Sequence, residues 1–243
     1  MLKLTRRELI GMGITGIGLS LPLVYNLLLG NHDLEQSEYR EFRQKLEQKV
    51  EVDLGRIKKK SLTLYEIKNL DDLRKLSELT ARKVNGRQYV LNKDIDCNGE
   101  HLNPISRFFG VFDGQGHTIY NFRIRDNYAG LFGDIIGSEN NSSILANLNI
   151  ENAEVEGIDY SGLLFGNARF LSVFNCRVSG NVKGGKINLG LLGGRLEHGI
   201  VLDSSAKGYV NDEYTTQLIK YAYKCLIRWK LKLFYAWFFC CYL

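Results

Sequence analysis

From Phe108 to Val210 the chain alternates apolar and polar residues in short runs, each cut off by glycine before a helix of useful length could form. Val155, Val173, Val178, Val182 and Ile187 alternate with polar neighbours, the period-two pattern of half-buried strands. The pattern also repeats at longer range. Asn147-Leu148-Asn149-Ile150, Asn175-Cys176-Arg177-Val178 and Asp203-Ser204-Ser205-Ala206 begin 28 residues apart, and Gly162-Leu163 and Gly190-Leu191 each follow the first two starts by 15 residues. A looser copy starts at Asn121-Phe122-Arg123-Ile124 and reaches Gly130-Leu131-Phe132-Gly133. A unit of this length cannot bury its own apolar face and must stack on its neighbours, so the repeat predicts a solenoid. The expected fold is mainly β: a short parallel β-helix of about three or four coils, with glycine at the corners and parallel ladders between coils.

Asn147, Asn175 and Asp203 would then lie one above another, where amide side chains hydrogen-bond up and down the stack. The row holds one carboxylate, a poor donor set for a hard cation, so its expected role is structural. Gly130, Gly133, Gly162, Gly166, Gly190 and Gly193 complete the set of repeat positions. The run Gly162 to Gly166 has one residue more than Gly190 to Gly193, and a local bulge is expected there.

Outside the repeat the pattern changes. Lys3, Arg6 and Arg7 precede an apolar, glycine-rich run from Ile10 to Leu29, and acidic Asp33 and Glu35 follow. That order fits a segment (residues 1–30) whose start stays cytoplasmic while the rest is exported; its roughly 20 residues just span a bilayer core. Lacking a small-x-small cleavage site, it reads better as a retained anchor than as a cleaved peptide. Residues 31–60 are dense in charge, with Leu34, Phe42, Leu46, Val50 and Ile57 forming a thin stripe. They predict a solvated helical spacer rather than a two-stranded coiled coil. Asp71 to Leu79 reads as a helix closing the first coil.

Two resemblances follow from these residues. Thr5-Arg6-Arg7-Glu8-Leu9-Ile10 resembles the twin-arginine translocation signal, with Thr5, Arg6, Arg7, Leu9 and Ile10 at the matching positions. Gly130-Leu131-Phe132-Gly133, Gly190-Leu191-Leu192-Gly193 and the variant Gly162-Leu163-Leu164-Phe165-Gly166 resemble the GLUG repeat. Tyr89 to Asp96, Asn103-Pro104-Ile105 and Phe112 to Ile119 resemble the segment that leads into such repeats. Phe112-Asp113-Gly114-Gln115-Gly116-His117-Thr118-Ile119 is also similar to a coil of pectin-lyase-like β-helices. The resemblance covers roughly Leu70 to Val210, within a β-helix domain expected over residues 61–212. It implies a right-handed β-helix module of the kind found in surface adhesins and in the non-catalytic region of immunoglobulin-A-cleaving zinc peptidases.

Composition and charge narrow the chemistry. Net charge is +5, but much of the excess sits at the two ends, so the middle is no nucleic-acid surface. Glycine (25) is abundant and proline (2) scarce, as corners needing φ > 0 require. The cysteines, Cys97, Cys176, Cys225, Cys240 and Cys241, show neither a CxxC pair nor zinc spacing, and a disulfide framework is not expected. His32, His101, His117 and His198 do not form a His-Glu-x-x-His helix. No phosphate loop, dinucleotide fingerprint or nucleophile elbow occurs. Neither a cofactor nor a metal is expected. Asp94, Asp96 and Asp113 are the only acids that group as a polysaccharide-active site would need, and turn capping accounts for them.

From Tyr214 the chain has no Gly, Asp or Glu, and Leu218 stands where a Gly-Leu corner was due. Three readings of the basic, aromatic tail (213–243) stay open: a capping helix, an interfacial membrane element, or a translated frameshift ending a longer array. An uncapped last coil would invite edge-to-edge self-association. The expected function is a non-catalytic, exported or membrane-anchored surface module for adhesion or for glycan or protein binding. Its rivals are a small polysaccharide-active enzyme and an inactive fragment of a longer repeat protein.

Overall fold

The computed structural model describes residues 44, 48–57, 64–81, 87–185, 188–215, 219–223, 225–229 and 232–236. The chain divides into two units, Met1–Glu47 and Gln48–Leu243. Thr5, Arg6, Arg7, Leu9 and Ile10, with the rest of the apolar segment and most of the charged stretch, lie outside the described residues. No helix among the described residues is long and apolar enough to cross a membrane.

A helical run, α1, covers residues 48–57. Strand β1 (Leu64–Ile67) precedes α2 (Leu70–Ala81). The Asn69 side chain accepts from the Asp72 N–H at the start of α2, Asp71 and Asp72 sit in its first turn, and Leu73 and Leu76 are buried. Then come β2 (Arg87–Leu91), β3 (Ile95–Asp96), β4 (Gly110–Asp113), β5 (Thr118–Tyr120), β6 (Arg123–Asp126) and β7 (Phe132–Ile136). Two coils follow: β8 (Ser143–Ala146), β9 (Asn149–Gly157) and β10 (Phe165–Arg169), then β11 (Leu171–Phe174), β12 (Arg177–Gly184) and β13 (Gly193–Glu197). The chain ends with β14 (Ile200–Leu202), β15 (Ser205–Val210), β16 (Glu213–Thr215), β17 (Ile219–Tyr223), β18 (Cys225–Trp229) and β19 (Lys232–Ala236).

These strands stack into three sheets, one per side of a parallel β-solenoid of about five turns. The first runs β1-β2-β4-β8-β11-β14-β18, all parallel, and ends on antiparallel β19. The second is β7-β10-β13-β17, and the third is β3-β5-β9-β12-β15 with antiparallel β16 at its end and β6 beside the far half of β9. Inward residues fill the interior. Phe108, Phe112 and Phe132 meet edge to face at centroid distances of 5.0 and 5.3 Å, and all three are fully buried. Cys97 and Cys176 are free and buried, and burial pushes both thiols up to about 12.

Four expectations need correcting. The stack has more than three or four coils, because β1 and β2 add levels before the first recognisable repeat. The tail is not a helix where it is described. Ile219 pairs with Gly193 and Leu226 with Ile200, so β17 and β18 continue two of the ladders with the spacing shortened to 26 residues.

The bulge is also misplaced. Phe165 pairs with both Phe132 and Gly193 in unshifted register, and Asn167 pairs with Arg195. Gly194 is therefore the equivalent of Gly166, and the coil at Gly130–Gly133 is the short one. The register break falls instead between Val178 and Gly180, where β9 carries the additional Asn152 at φ 48°. Gly193 has a different duty: a Cβ there would lie 2.1 Å from the Phe165 ring.

Finally, α1 is not simply solvated. Asp53 is 2% exposed and accepts from the Ser142 hydroxyl (2.8 Å) and the Ser172 hydroxyl (2.6 Å), while Arg56 donates to the Ser142 carbonyl. Gln88 reaches the Ile57 carbonyl from β2, and Lys49 the Glu139 carbonyl. The outward residues of the first sheet are covered as well. Val90, Val111, Ile144, Ala146, Phe174, Ile200 and Leu202 are apolar and buried, although they point away from the interior.

Candidate binding face

The third sheet has the opposite outer surface. Val155, Val182 and Val210 turn inward, which sends Glu154, Asn181 and Tyr209 out, one per coil. Register extends this row to Arg123 on β6 and to Tyr214 on β16, giving Arg123, Glu154, Asn181, Tyr209 and Tyr214 across five strands. A second row places Arg125 beside Glu156 and Glu156 beside Lys183. Between them lies a shallow groove of about 200 Å³, with His101 at its margin.

The charges that line the groove are paired, while Glu151, Arg177, Lys207 and Glu213 are exposed on the same strands. Arg123 Nε donates to Glu154 Oε2 at 2.9 Å, Arg125 meets Glu156 at 3.3 Å, and Lys183 meets Asp212 at 2.9 Å. The hydrogen bond from Lys183 to Asp212 holds its ammonium above the ordinary lysine range. At the C-terminal end Tyr209 and Tyr214 are 49% and 66% exposed, and their rings meet edge to face at 5.7 Å. This combination of groove, paired charges and exposed rings was not legible as a site. Its members span 113 residues of sequence, from His101 to Tyr214, and only the register unites them.

The repeat residues sit at the corners. Asn147, Asn175 and Asp203 have φ of 52, 50 and 53°, the left-handed conformation that asparagine and aspartate tolerate best among non-glycine residues. Asn175 Nδ2 donates to Asn147 Oδ1 at 3.0 Å, and Asn147 Nδ2 donates to Asp113 Oδ1 at 3.0 Å. A second ladder runs from Asn152 to Asn121 (2.6 Å) and from Asn121 to Asp96 (2.9 Å), and Asn167 donates to Asp134 at 2.8 Å. Each chain of amides ends on an acceptor-only carboxylate.

That assigns the acids grouped as a catalytic candidate. Asp113 also accepts from the Gln115 N–H and Asp96 from the Asn98 N–H, while Asp94 accepts from the Thr118 N–H and contacts His117 Nδ1 at 3.1 Å. Their oxygens serve turns and ladders. His198 stacks on Phe170 at 4.8 Å. Among the described residues no three His, Cys, Asp or Glu side chains group as a metal site.

The glycines allow close approach. A Cβ on Gly162 would lie 2.4 Å from Gly193 Cα, one on Gly130 2.7 Å from the Gly162 carbonyl, and one on Gly166 2.7 Å from the Gly133 carbonyl. Gly133 would meet Ser106, and the Gly190 N–H donates to the Ser161 carbonyl.

No family model matches the chain. Among curated proteins, halomucin of Haloquadratum walsbyi is 30% identical over 161 residues, which is 58% of this chain. The chain spans only 2% of the length of that relative. No solved structure matches. Asp94, Asp96 and Asp113 are not gathered in one cleft: each serves a turn or a ladder.

Proposed function

We propose that this chain is a non-catalytic, surface-displayed β-helix module of the GLUG type, which binds an external partner through the outer face of β6, β9, β12, β15 and β16. The observation that carries the reading is the contrast between the sheets: one outer surface is apolar and buried, with α1 bonded to it through Asp53, and another stays open with two exposed tyrosines. Similarity to a stretch of a protein that bears a mucin's name supports a place outside the cell. The basic and apolar order of residues 1–30 supports export with retention at the membrane.

Two measurements test it. Protease treatment of intact cells should release the solenoid, and replacing Arg6 and Arg7 by lysine should keep it inside; unchanged export would refute the twin-arginine reading. Beads coated with the protein should adhere to cells or extracellular material. Beads that adhere to nothing would remove the binding function.

A further inference from the structure

The face proposed above also has a chemistry that selects a class of ligand. A partner held by charge needs unpaired charges of one sign. Here the charges that line the groove close on one another, Arg123 with Glu154, Arg125 with Glu156 and Lys183 with Asp212, and the exposed charges beside them, Glu151 and Glu213 against Arg177 and Lys207, are of both signs. Such a surface presents little net field, so it neither steers nor holds a polyanion or polycation. What it presents are planar hydrogen-bonding groups fixed by one another, which lose little rotamer freedom when a ligand arrives.

The tyrosines add a second, independent feature. At another corner Tyr128 stacks on Tyr160 at 5.8 Å and 13°, and Arg195 lies 5.2 Å over the Tyr160 ring, so the Tyr160 ring already has partners there. Tyr209 and Tyr214 meet at 73° instead. An edge-to-face pair leaves ring surface open, and Tyr214 is two-thirds exposed. Open ring faces beside paired planar polar groups suit a ligand with alternating C–H and O–H surface and no charge.

We propose, building on the binding-module reading, that this face binds a neutral oligosaccharide, stacked on Tyr209 and Tyr214 and hydrogen-bonded by Asn181, Glu154 and Arg123. The sugar chain runs across the strands, along the row that register sets from Tyr214 towards Arg123.

The test titrates the full chain, held in a detergent without a sugar headgroup, with cellohexaose, maltohexaose and xylohexaose, and with heparin and polygalacturonate as anionic probes. Calorimetry should show at least one neutral hexasaccharide binding, with affinity changing less than about two-fold between low and roughly 0.5 M salt, since no counterions are released. Tyr209→Ala and Tyr214→Ala should each weaken it by about ten-fold, with circular dichroism unchanged. The proposal is overturned if no neutral hexasaccharide binds, if an anionic probe wins and is lost in salt, or if the tyrosine variants bind as well as the parent. Bead adhesion separates the two readings. If the double tyrosine variant still adheres, the module binds by another chemistry and only the glycan assignment fails; if the parent never adheres, the module reading itself has failed.

Discussion

The first and third sheets are built from the same coils yet treat their outer residues in opposite ways. In β8 and β11 every residue is buried, and outward Ile144 and Phe174 lie under cover, with Ser172 bonded to Asp53. In β9 and β12 burial alternates, and Glu154, Glu156 and Lys183 face water. The inner residues hardly distinguish the two sheets, so the fold alone does not decide what each surface does. The outward positions decide it, and a solenoid can vary them without disturbing its interior.

The contrast can be broken most forcefully on the covered side. Phe174→Lys would bury a charge between Ala146 and Leu202 and should cost at least about 4 kcal/mol, enough to prevent folding. Asn181→Lys, outward on the open side, should change the urea midpoint by less than about 0.5 kcal/mol equivalent. Similar losses from both would erase the distinction.

Asp53→Ala comes next. It strips the acceptor from Ser142, Ser172 and Arg56 and should destabilise by about 3 kcal/mol, as breaking a buried charged network does. Denaturant melts read this, and a loss under about 1 kcal/mol would mean that α1 is held by its apolar contacts alone.

Between the two surfaces, burial raises the Cys176 thiol to about 12 from its ordinary 9.0. Above pH 9 the unfolded chain ionises this thiol while the folded chain keeps its proton. The stabilisation is therefore whole below pH 9 and is lost from pH 9 to 12, by about 1.4 kcal/mol per unit. Cys176→Ala should lessen that slope in urea melts taken between pH 8 and 11, leaving the share of Cys97; an unchanged slope would assign the alkaline loss to other groups.

The smallest effect belongs to the open side, where Arg123→Gln should cost under about 0.5 kcal/mol because its salt bridge with Glu154 is solvated. A loss above about 1.5 kcal/mol would show that this face helps to hold the fold.

The solenoid could be read from sequence because its corners need particular chemistry: asparagine or aspartate in the left-handed conformation, and glycine where Gly162 faces Gly193. Docking of α1 was harder to see. Its stripe is thin, and the residue that fixes it, Asp53, looks like one more charge in a charged helix. The signal lay in the strands. Outward Ile144, Phe174 and Ile200 are apolar where a solvated face would be polar, the mark of a sheet covered on both sides. The coil after Leu202 escaped because strand pairing asks only for register and extended backbone. Ile219 keeps its place beside Gly193 without a Gly-Leu corner and with two residues fewer per turn. The tyrosine-bearing face escaped because cross-strand neighbours are set by the coil length, which no single motif records.

The asparagine ladders carry one more consequence. Each amide gives its N–H₂ to the coil before it and leaves an oxygen for the coil after, so the stack has a direction, like a staircase whose every step rests on the one below. Asp96, Asp113 and Asp134 are its ground floor, since a carboxylate takes such a bond and has no N–H to pass further down. Copy number is then a free variable. A coil inserted between Asn147 and Asn175 would meet a donor above and an acceptor below, and the ends of the protein would not register the change.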